Sequence, residues 1–555
     1  MVDKVECGDG IRCGSAGPFL FDKDEGHGGP AESRRAGHVW CKRGLTLARR
    51  KANLCSARRR LWRSGCLLGI LVALFFALGS GAGWVVRRSR QAARQRDAMA
   101  RIRSLGGVAY YDYQYRRDGG GERLERAERR PAPAWLYKLV GPDLLHRVFY
   151  VNFALFRRGD RESRQPILVD EVTDREMAIL EDLPGLRWLS LNGTRVTDAG
   201  LGELARFAHL ERLWLSGTQV GDRGLWHLRN MRWLRQLYLN GTRVTDAGLA
   251  HLAGLDQLEK LWLTGPQITD AGLAHVGKLT RLDLLFLDGT GQSDTGMQHL
   301  RGLRRLEWLR ISRCGRITDA GLEPLSTLRR LRELDLSHCP RLTDAGLVHL
   351  RRLRAVRALS LRGTGVTDSG LEQLRNMTQL SILHLEQTRC SLSGVVHLFT
   401  ELQGRDVREA LAAVGRSEQD SAGRLVALDL TGVRVTDRGL SHLKGCSRLE
   451  WLFLQGSEVT DEGLRELAGL KSLKLLHLAH TRVTDRGLKH LASLSHLQTL
   501  HLAGTAVTKE AVRDLQEGSA GRLRVYLIDF SQYGYVAPPG ASTRKTRAPR
   551  SSLPP

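Results

Sequence analysis

A repeated unit of 24 or 25 residues runs through most of this 555-residue chain and restricts its fold more than any other feature. The stretch LNGTRVTDAGL stands at residues 191–201 and again, unchanged, at 239–249. The copies align on one slot, which is filled in turn by Asp174, Asp198, Asp222, Asp246, Asp270, Asp294, Asp319, Asp344, Asp368, Leu392, Asp437, Asp461, Asp485 and Lys509. Repeats of this length indicate a stacked array, because one unit cannot bury its own apolar face.

Each unit reads L-x-x-L-x-L-x-G-T-x-V-T-D-x-G-L-x-x-L-x-x-L. The alternating leucines of its first half predict a short strand. Its second half predicts a helix, with Asp198 as the N-cap and Leu201, Leu204 and Phe207 on one face. The predicted fold class is therefore an α/β solenoid. One long step, between Leu392 and Asp437, indicates an insertion near 403–424.

The pattern resembles the leucine-rich repeat family over about 175–510. Its TDxGL form looks like the cysteine-containing and ribonuclease-inhibitor-like subtype, and the units ISRCGRITD and LSHCPRLTD are closest to the cysteine-containing form. The stretch ARQRDAMARIRSLGGVAYYDYQY at 93–115 resembles bacterial membrane-anchored leucine-rich-repeat proteins. The resemblance implies a curved parallel β-sheet on the concave side, helices on the convex side and a role in binding other proteins.

An apolar segment, residues 64–86, contains 23 residues without a charge and has arginines on both sides. This length predicts one transmembrane helix. A cleaved signal sequence is the alternative. Within about 20 residues, nine Lys/Arg precede the segment and seven follow it, which favours a cytoplasmic amino terminus and an extracytoplasmic solenoid, periplasmic or at the cell surface.

The chain is divided on these grounds into five parts, with strands at 148–153 and 523–528 expected to close the two ends of the array. The parts are a disordered basic segment (1–63), the transmembrane helix (64–86), a linker and amino-terminal cap region (87–165), the solenoid (166–530) and a disordered basic tail (531–555). Although the net charge is +26, residues 1–107 alone hold 21 Lys/Arg against 8 Asp/Glu. The basic excess therefore lies largely in the flanks, and no nucleic-acid partner is expected.

Two columns of the aligned repeats are interpreted as structural. One places Thr194, Thr218, Cys314 and Cys339 where a side chain points inward and bonds the turn, and we expect free thiols there. The other column is histidine, five residues after the aligned slot, at His227, His251, His275, His299, His349, His397, His442 and His490. Helices of neighbouring repeats pack about 8–10 Å apart, too far for adjacent histidines to share an ion, so no metal is expected.

Strand residues between the leucines point to the concave face and vary from repeat to repeat. Aromatic residues at these positions predict an exposed stripe that binds an unidentified protein or peptide. The candidate site residues are Trp188, Trp214, Tyr238, Trp262, Phe286, Trp308 and Arg310. Two alternatives stay open, a ladder of rings that stack on one another and a cover formed by residues 108–165.

No catalytic motif is found, so we expect a non-catalytic scaffold or receptor without a cofactor. One alternative is a substrate adaptor of a ubiquitin ligase, since TDxGL repeats resemble those of F-box leucine-rich-repeat proteins. No F-box-like helical module is visible in the sequence. An enzyme with its site in the insertion or the linker is the third hypothesis.

Overall fold

The computed structural model describes residues 83–117, 124–126, 134–153, 172–519 and 521–527. The chain is divided into two units, residues 1–86 and 87–555. The predicted transmembrane helix lies outside the described residues except for its last four, which are helical, and the predicted disordered segments 1–63 and 531–555 lie wholly outside them. None of the described helices is both long enough and apolar enough to cross a bilayer.

Short strands recur once per repeat in the second unit. In chain order they are β1 (Val108–Tyr111), β2 (Tyr115–Arg117), β3 (Leu124–Arg126), β4 (Val148–Asn152), β5 (Trp188–Ser190), β6 (Arg212–Trp214), β7 (Gln236–Leu239), β8 (Lys260–Thr264), β9 (Leu284–Asp288), β10 (Trp308–Arg310), β11 (Glu333–Asp335), β12 (Ala358–Ser360), β13 (Ile382–His384), β14 (Arg416–Gln419), β15 (Leu425–Asp429), β16 (Trp451–Phe453), β17 (Leu475–His477), β18 (Thr499–His501) and β19 (Arg524–Tyr526).

Helical turns follow the strands. The α-helices are α1 (87–104), α2 (Ala134–Val140), α3 (Pro142–Leu145), α4 (Asp198–Gly202), α5 (Asp222–Leu228), α6 (Asp246–Leu249), α7 (Asp270–Val276), α8 (Asp294–Met297), α9 (Asp344–Leu347), α10 (Asp368–Leu371), α11 (Leu392–His397), α12 (Val407–Val414), α13 (Asp437–Leu440), α14 (Asp461–Glu466), α15 (Asp485–Leu491) and α16 (Lys509–Gly518). Turns of 3₁₀ helix span Asp174–Asp182, Glu203–Arg206, Ala250–Leu252, Gln298–Gly302, Asp319–Thr327, Val348–Arg352, Glu372–Leu374, Ser441–Leu443 and Leu467–Gly469, and a π turn spans Leu398–Leu402.

The repeat strands pair in parallel, as a solenoid requires, and the predicted α/β solenoid is confirmed. The expected parallel sheet is divided in two. The structure has an 11-stranded sheet in the order β1-β4-β5 to β13 and a separate six-stranded sheet from β14 to β19. The insertion explains the break. Its strand β14 pairs antiparallel with β15 and so occupies the edge of the second sheet, where β13 would otherwise pair with β15.

The strands anticipated at the ends of the array are present. In the described part of the chain, β4 joins β5 in parallel and is covered on its other side by β1, which runs antiparallel to it. At the opposite end β19 adds in parallel to β18. Between these ends the repeated leucines, such as Leu189, Leu213 and Leu237, are fully buried in one continuous core.

The inward column has the predicted role. Thr194 and Thr218 donate their hydroxyl hydrogens to the carbonyls of Leu191 and Leu215, each at 2.7 Å, and so close the turn after each strand. Cys314 and Cys339 occupy the same column as buried free thiols.

The predicted role of the aspartate column is wrong. The N-cap of α4 is Thr197, whose hydroxyl accepts the N–H of Ala199. Asp198 is the first residue of the helix, and its carboxylate accepts the backbone N–H of Gly221 in the next repeat at 2.6 Å. The column therefore ties neighbouring repeats together. Leu392 interrupts it at the same seam where the sheet is broken.

Candidate functional site

The predicted aromatic stripe lies on the open face of the first sheet, the face that the helices do not cover. Strand register places Trp214, Tyr238, Trp262 and Phe286 side by side on β6 to β9. The ring centroids of Trp214 and Tyr238 are 5.5 Å apart, those of Tyr238 and Trp262 3.7 Å, and those of Trp262 and Phe286 5.6 Å. The side chains form a ladder of stacked and edge-on rings, the arrangement that was the alternative to a free stripe.

Burial corrects the predicted exposure of this ladder. Trp188, Trp262 and Phe286 are only 3%, 5% and 6% exposed, whereas Trp214 and Tyr238 are half-buried. Side chains of the neighbouring strands cover most of the surface of these three rings. Most of the ladder is therefore a packed layer on the sheet, and only part of it can meet a partner.

Cationic side chains cover further ring surface. The guanidinium of Arg212 lies 3.8 Å from the ring centroid of Trp188, and the ammonium of Lys260 lies 5.5 Å from that of Trp308. Such cation–π contacts are each worth about 0.5–2 kcal/mol, depending on exposure. Arg212 and Lys260 are themselves buried, so these contacts add to the packing of the ladder.

Arg310 marks the end of the ladder. Its Nε lies 3.2 Å from Asp288 and 3.1 Å from Asp335, carboxylates that come from the strands on either side. Its guanidinium also lies 5.6 Å from the ring centroid of Phe286. Two carboxylates therefore fix this arginine in place, and its positive charge is compensated within the sheet.

A groove begins where the ladder ends. It crosses the open face from β9 to β13, has a volume of about 390 Å³ and is bounded by Phe286 and Trp308 at one end and by Arg416 of β14 at the other. Four strand spacings of about 4.8 Å make it roughly 19 Å long, which matches an extended peptide of about six residues. The insertion thus supplies one wall of the groove.

Three of the seven predicted site residues line this groove, and the other four do not. Phe286, Trp308 and Arg310 line it. Trp188, Trp214, Tyr238 and Trp262 belong to the ladder and do not line it. The structure adds residues that the aromatic pattern could not indicate, namely Arg313, Ser337, His338, Ser360, Arg362, Ile382, His384 and Arg416.

Some charged side chains of the groove are paired with one another, and others are not. Arg362 donates to Glu386 at 2.6 Å, and His384 lies 3.8 Å from the same carboxylate. Burial alone would raise the pKa of Glu386, but the hydrogen bond from Arg362 and the neighbouring charges outweigh it, so this pKa lies below its usual value. Arg313 and Arg416 are exposed and have no ion-pair partner among the described residues. Two guanidinium groups are therefore available to a bound anion.

A second ring column, which sequence reasoning missed, lies on the sheet after the insertion. Register aligns Phe453, His477, His501 and Tyr526 on β16 to β19. The ring centroids of His477 and His501 are 4.5 Å apart, and those of His501 and Tyr526 are 4.7 Å apart. The sequence could have predicted this column, because the middle strand positions of the last repeats hold histidines where the first sheet has Trp, Tyr and Phe.

Metal-ligating clusters and reactive cysteines are two further kinds of site that the described residues could form. No group of three or more His, Cys, Asp or Glu side chains there could hold a metal ion. The cysteines in this part of the chain are buried, and burial raises the pKa of both Cys339 and Cys390 to about 12. These thiols are therefore not activated as nucleophiles.

A comparison with protein families matches two short parts of the chain. The leucine-rich repeat family model matches residues 328–350 and 469–492, each of which spans about one copy of the unit. These matches support the leucine-rich repeat family. They do not distinguish the cysteine-containing subtype from the others. No curated protein matches the chain.

Several solved structures are similar to the chain at low identity. An internalin, InlF, from Listeria monocytogenes is 20% identical, with 65% of this chain and 90% of that one covered and a TM-score of 0.37. A leucine-rich-repeat protein from Leptospira interrogans is 16% identical, with 62% and 91% covered and a TM-score of 0.39. The Arabidopsis receptor kinase HAESA, solved with the peptide hormone IDA and a co-receptor, is 16% identical, with 63% and 71% covered and a TM-score of 0.35.

Proposed function

We propose that this leucine-rich-repeat chain is a non-catalytic interaction protein that binds an extended segment of a protein partner in the groove between Trp308 and Arg416. The groove supports this function because it combines a half-buried indole at one end with an uncompensated guanidinium at the other. Buried aromatic anchors and arginines are the residues that contribute most at protein interfaces. Repeats of this family typically serve as binding scaffolds.

The floor of the groove suits a polypeptide. Ser337 and Ser360 share a hydrogen bond of 2.7 Å between their hydroxyls, and His384 stands exposed beside them. Hydroxyl and imidazole groups can bond the backbone of an extended chain in either direction. An apolar side chain of the partner would lie on Trp308, and acidic side chains would meet Arg313 and Arg416.

Membrane attachment belongs to the same proposal. Residues 64–86 contain no charge over 23 residues and are bordered by arginines, which supports a single anchoring helix. The small excess of Lys/Arg before the segment supports an extracytoplasmic solenoid. Protease treatment of intact cells tests this topology: the solenoid should be digested, and a solenoid protected until the cells are lysed would contradict it.

Binding in the groove can be tested by photo-crosslinking in the native membrane. A crosslinking amino acid at position 360 should capture a partner, whereas the same amino acid at position 223, on the helical side, should not. Arg313→Glu with Arg416→Glu should reduce capture about tenfold, since two favourable contacts become repulsive. The matched pair Arg243→Glu with Arg341→Glu, outside the groove, should leave capture unchanged. Equal capture by both pairs would refute the site.

A further inference from the structure

Arginines accumulate on one edge of the first sheet, in the segments that lead from a helix into the next strand. Residues 301–307, 326–332 and 351–357 together contain ten arginines and one glutamate. The same segments of other repeats vary in charge: residues 253–259 have no Lys or Arg and two acids, whereas residues 229–235 have three arginines and no acid. A basic segment therefore recurs in three consecutive repeats and in one earlier repeat, and the repeat pattern itself does not require it.

Most of these arginines are not compensated. Arg301 pairs with Glu323, and Arg332 pairs with Glu307. The other eight are exposed and have no ion-pair partner within the described residues, although Arg351 hydrogen-bonds Gln373. We call six of them the arginine edge; they are Arg304, Arg305, Arg329, Arg330, Arg352 and Arg354.

Strand register aligns the arginine edge into rows. Arg304, Arg329 and Arg354 each stand four residues before the paired residues Trp308, Glu333 and Ala358. Because the strands are parallel, these arginines share one edge of the sheet, at about 5–10 Å from repeat to repeat. A row of fixed cations at this spacing fits a surface of closely spaced anionic groups.

An exposed tryptophan extends the same edge. Trp233 is 54% exposed and stands three residues before β7, the position that Arg305 and Arg330 take before β10 and β11. Arg232, also exposed, is in register with Arg304. Tryptophan beside arginine is the combination that favours the boundary between lipid headgroups and acyl chains.

We propose that the arginine edge rests on the surface of an anionic lipid bilayer and so orients the solenoid on the membrane. The inference rests on the proposed anchor at residues 64–86, which would keep the solenoid close to a bilayer. Each arginine that meets anionic headgroups adds to the association, so three of them contribute on the order of 100-fold. The open-face groove would then lie beside the membrane surface with its binding side free.

The full-length chain in lipid nanodiscs provides the test. Phosphatidylcholine discs with and without about 30% phosphatidylglycerol are compared by the rate at which phenylglyoxal modifies Arg305, Arg330 and Arg352, residues that every variant retains. Modification should be several-fold slower in anionic discs and should recover at high salt, which screens surface charge. Arg304→Gln with Arg329→Gln and Arg354→Gln should abolish the difference. The matched variant Arg243→Gln with Arg316→Gln and Arg341→Gln, on the opposite edge, should keep it.

Each outcome has a defined meaning. Equal modification in the two kinds of disc, or equal effects of the two triple variants, would overturn the lipid contact. If these arginines were protected from phenylglyoxal only after an oligonucleotide was added, the partner of the arginine edge would be nucleic acid and not lipid. A chain that fails to enter the discs would contradict the anchor. In that case sedimentation of the same chain with anionic and neutral vesicles still reports on the arginine edge alone.

Discussion

The carboxylate of Asp319 accepts the backbone N–H of Thr343 at 2.7 Å and its hydroxyl at 2.6 Å, across 24 residues of sequence. Thr343 in turn caps its own helix by accepting the N–H of Ala345. The two residues thus link the helix of one repeat to the start of the helix of the next. The same pair recurs along the array, for example between Asp174 and Thr197.

Gly346 shows how tightly this link is packed. A Cβ at this position would lie 2.5 Å from Oδ1 of Asp319 and 3.1 Å from Leu322. We predict that Gly346→Ala lowers the free energy of unfolding by about 1–3 kcal/mol, the usual cost of overpacking. Gly254→Ala is the matched control, since nothing lies within 4 Å of its Cβ, and it should be neutral. Chemical denaturation of the two variants decides; equal stabilities would contradict the steric argument.

Acid should weaken the array through the same aspartates. Burial raises the pKa of Asp270, but the hydrogen bonds from Ser293 and Gly296 outweigh it, and the net pKa is lowered. A lowered folded-state pKa contributes stability above the ordinary carboxyl value of about 3.9, and this is lost as pH falls through the folded-state pKa. Asp270→Asn should therefore have a lower denaturation midpoint than wild type at pH 7 and approach it near pH 2. If the two denaturation midpoints differed by the same amount at every pH in this range, ionisation of Asp270 would not contribute to stability.

The aromatic ladder should matter for folding. Because Trp262 is almost fully buried against Leu284 and Phe286, Trp262→Ala should cost about 3–5 kcal/mol of stability. Trp233→Ala, at an exposed tryptophan, should change stability by about 0.5 kcal/mol or less. Denaturant titration followed by circular dichroism measures both. If Trp262→Ala were as stable as Trp233→Ala, the packing of the ladder would be disproved and a free stripe restored.

Thiol chemistry offers an independent check of the core. Cys339 and Cys390 are buried, and burial raises the pKa of each to about 12, so few thiolates exist at pH 8. Iodoacetamide should leave both residues unmodified in the folded protein and alkylate them in guanidinium chloride. Site-resolved mass spectrometry separates these cysteines from those before residue 67. Rapid alkylation of Cys339 under native conditions would show that the inward column is open.

Local sequence pattern was enough for the fold and for the face of the sheet on which the candidate residues lie. The spacing of the leucines determined the strands and the stacking, because apolar periodicity forces each unit to bury one face against the next. The inward threonines followed from the same register. Phe286, Trp308 and Arg310 were correctly placed on the open face, since alternate strand residues point to opposite sides.

Tertiary structure alone decided the rest. The burial of Trp262 depends on rings contributed by residues 24 positions away on either side, and Asp198 bonds Gly221 because stacking brings the two repeats together. The insertion breaks the sheet and turns Arg416 toward the groove, which no local pattern encodes. A sequence repeat determines which residues share a column, whereas only three-dimensional packing determines what the column touches.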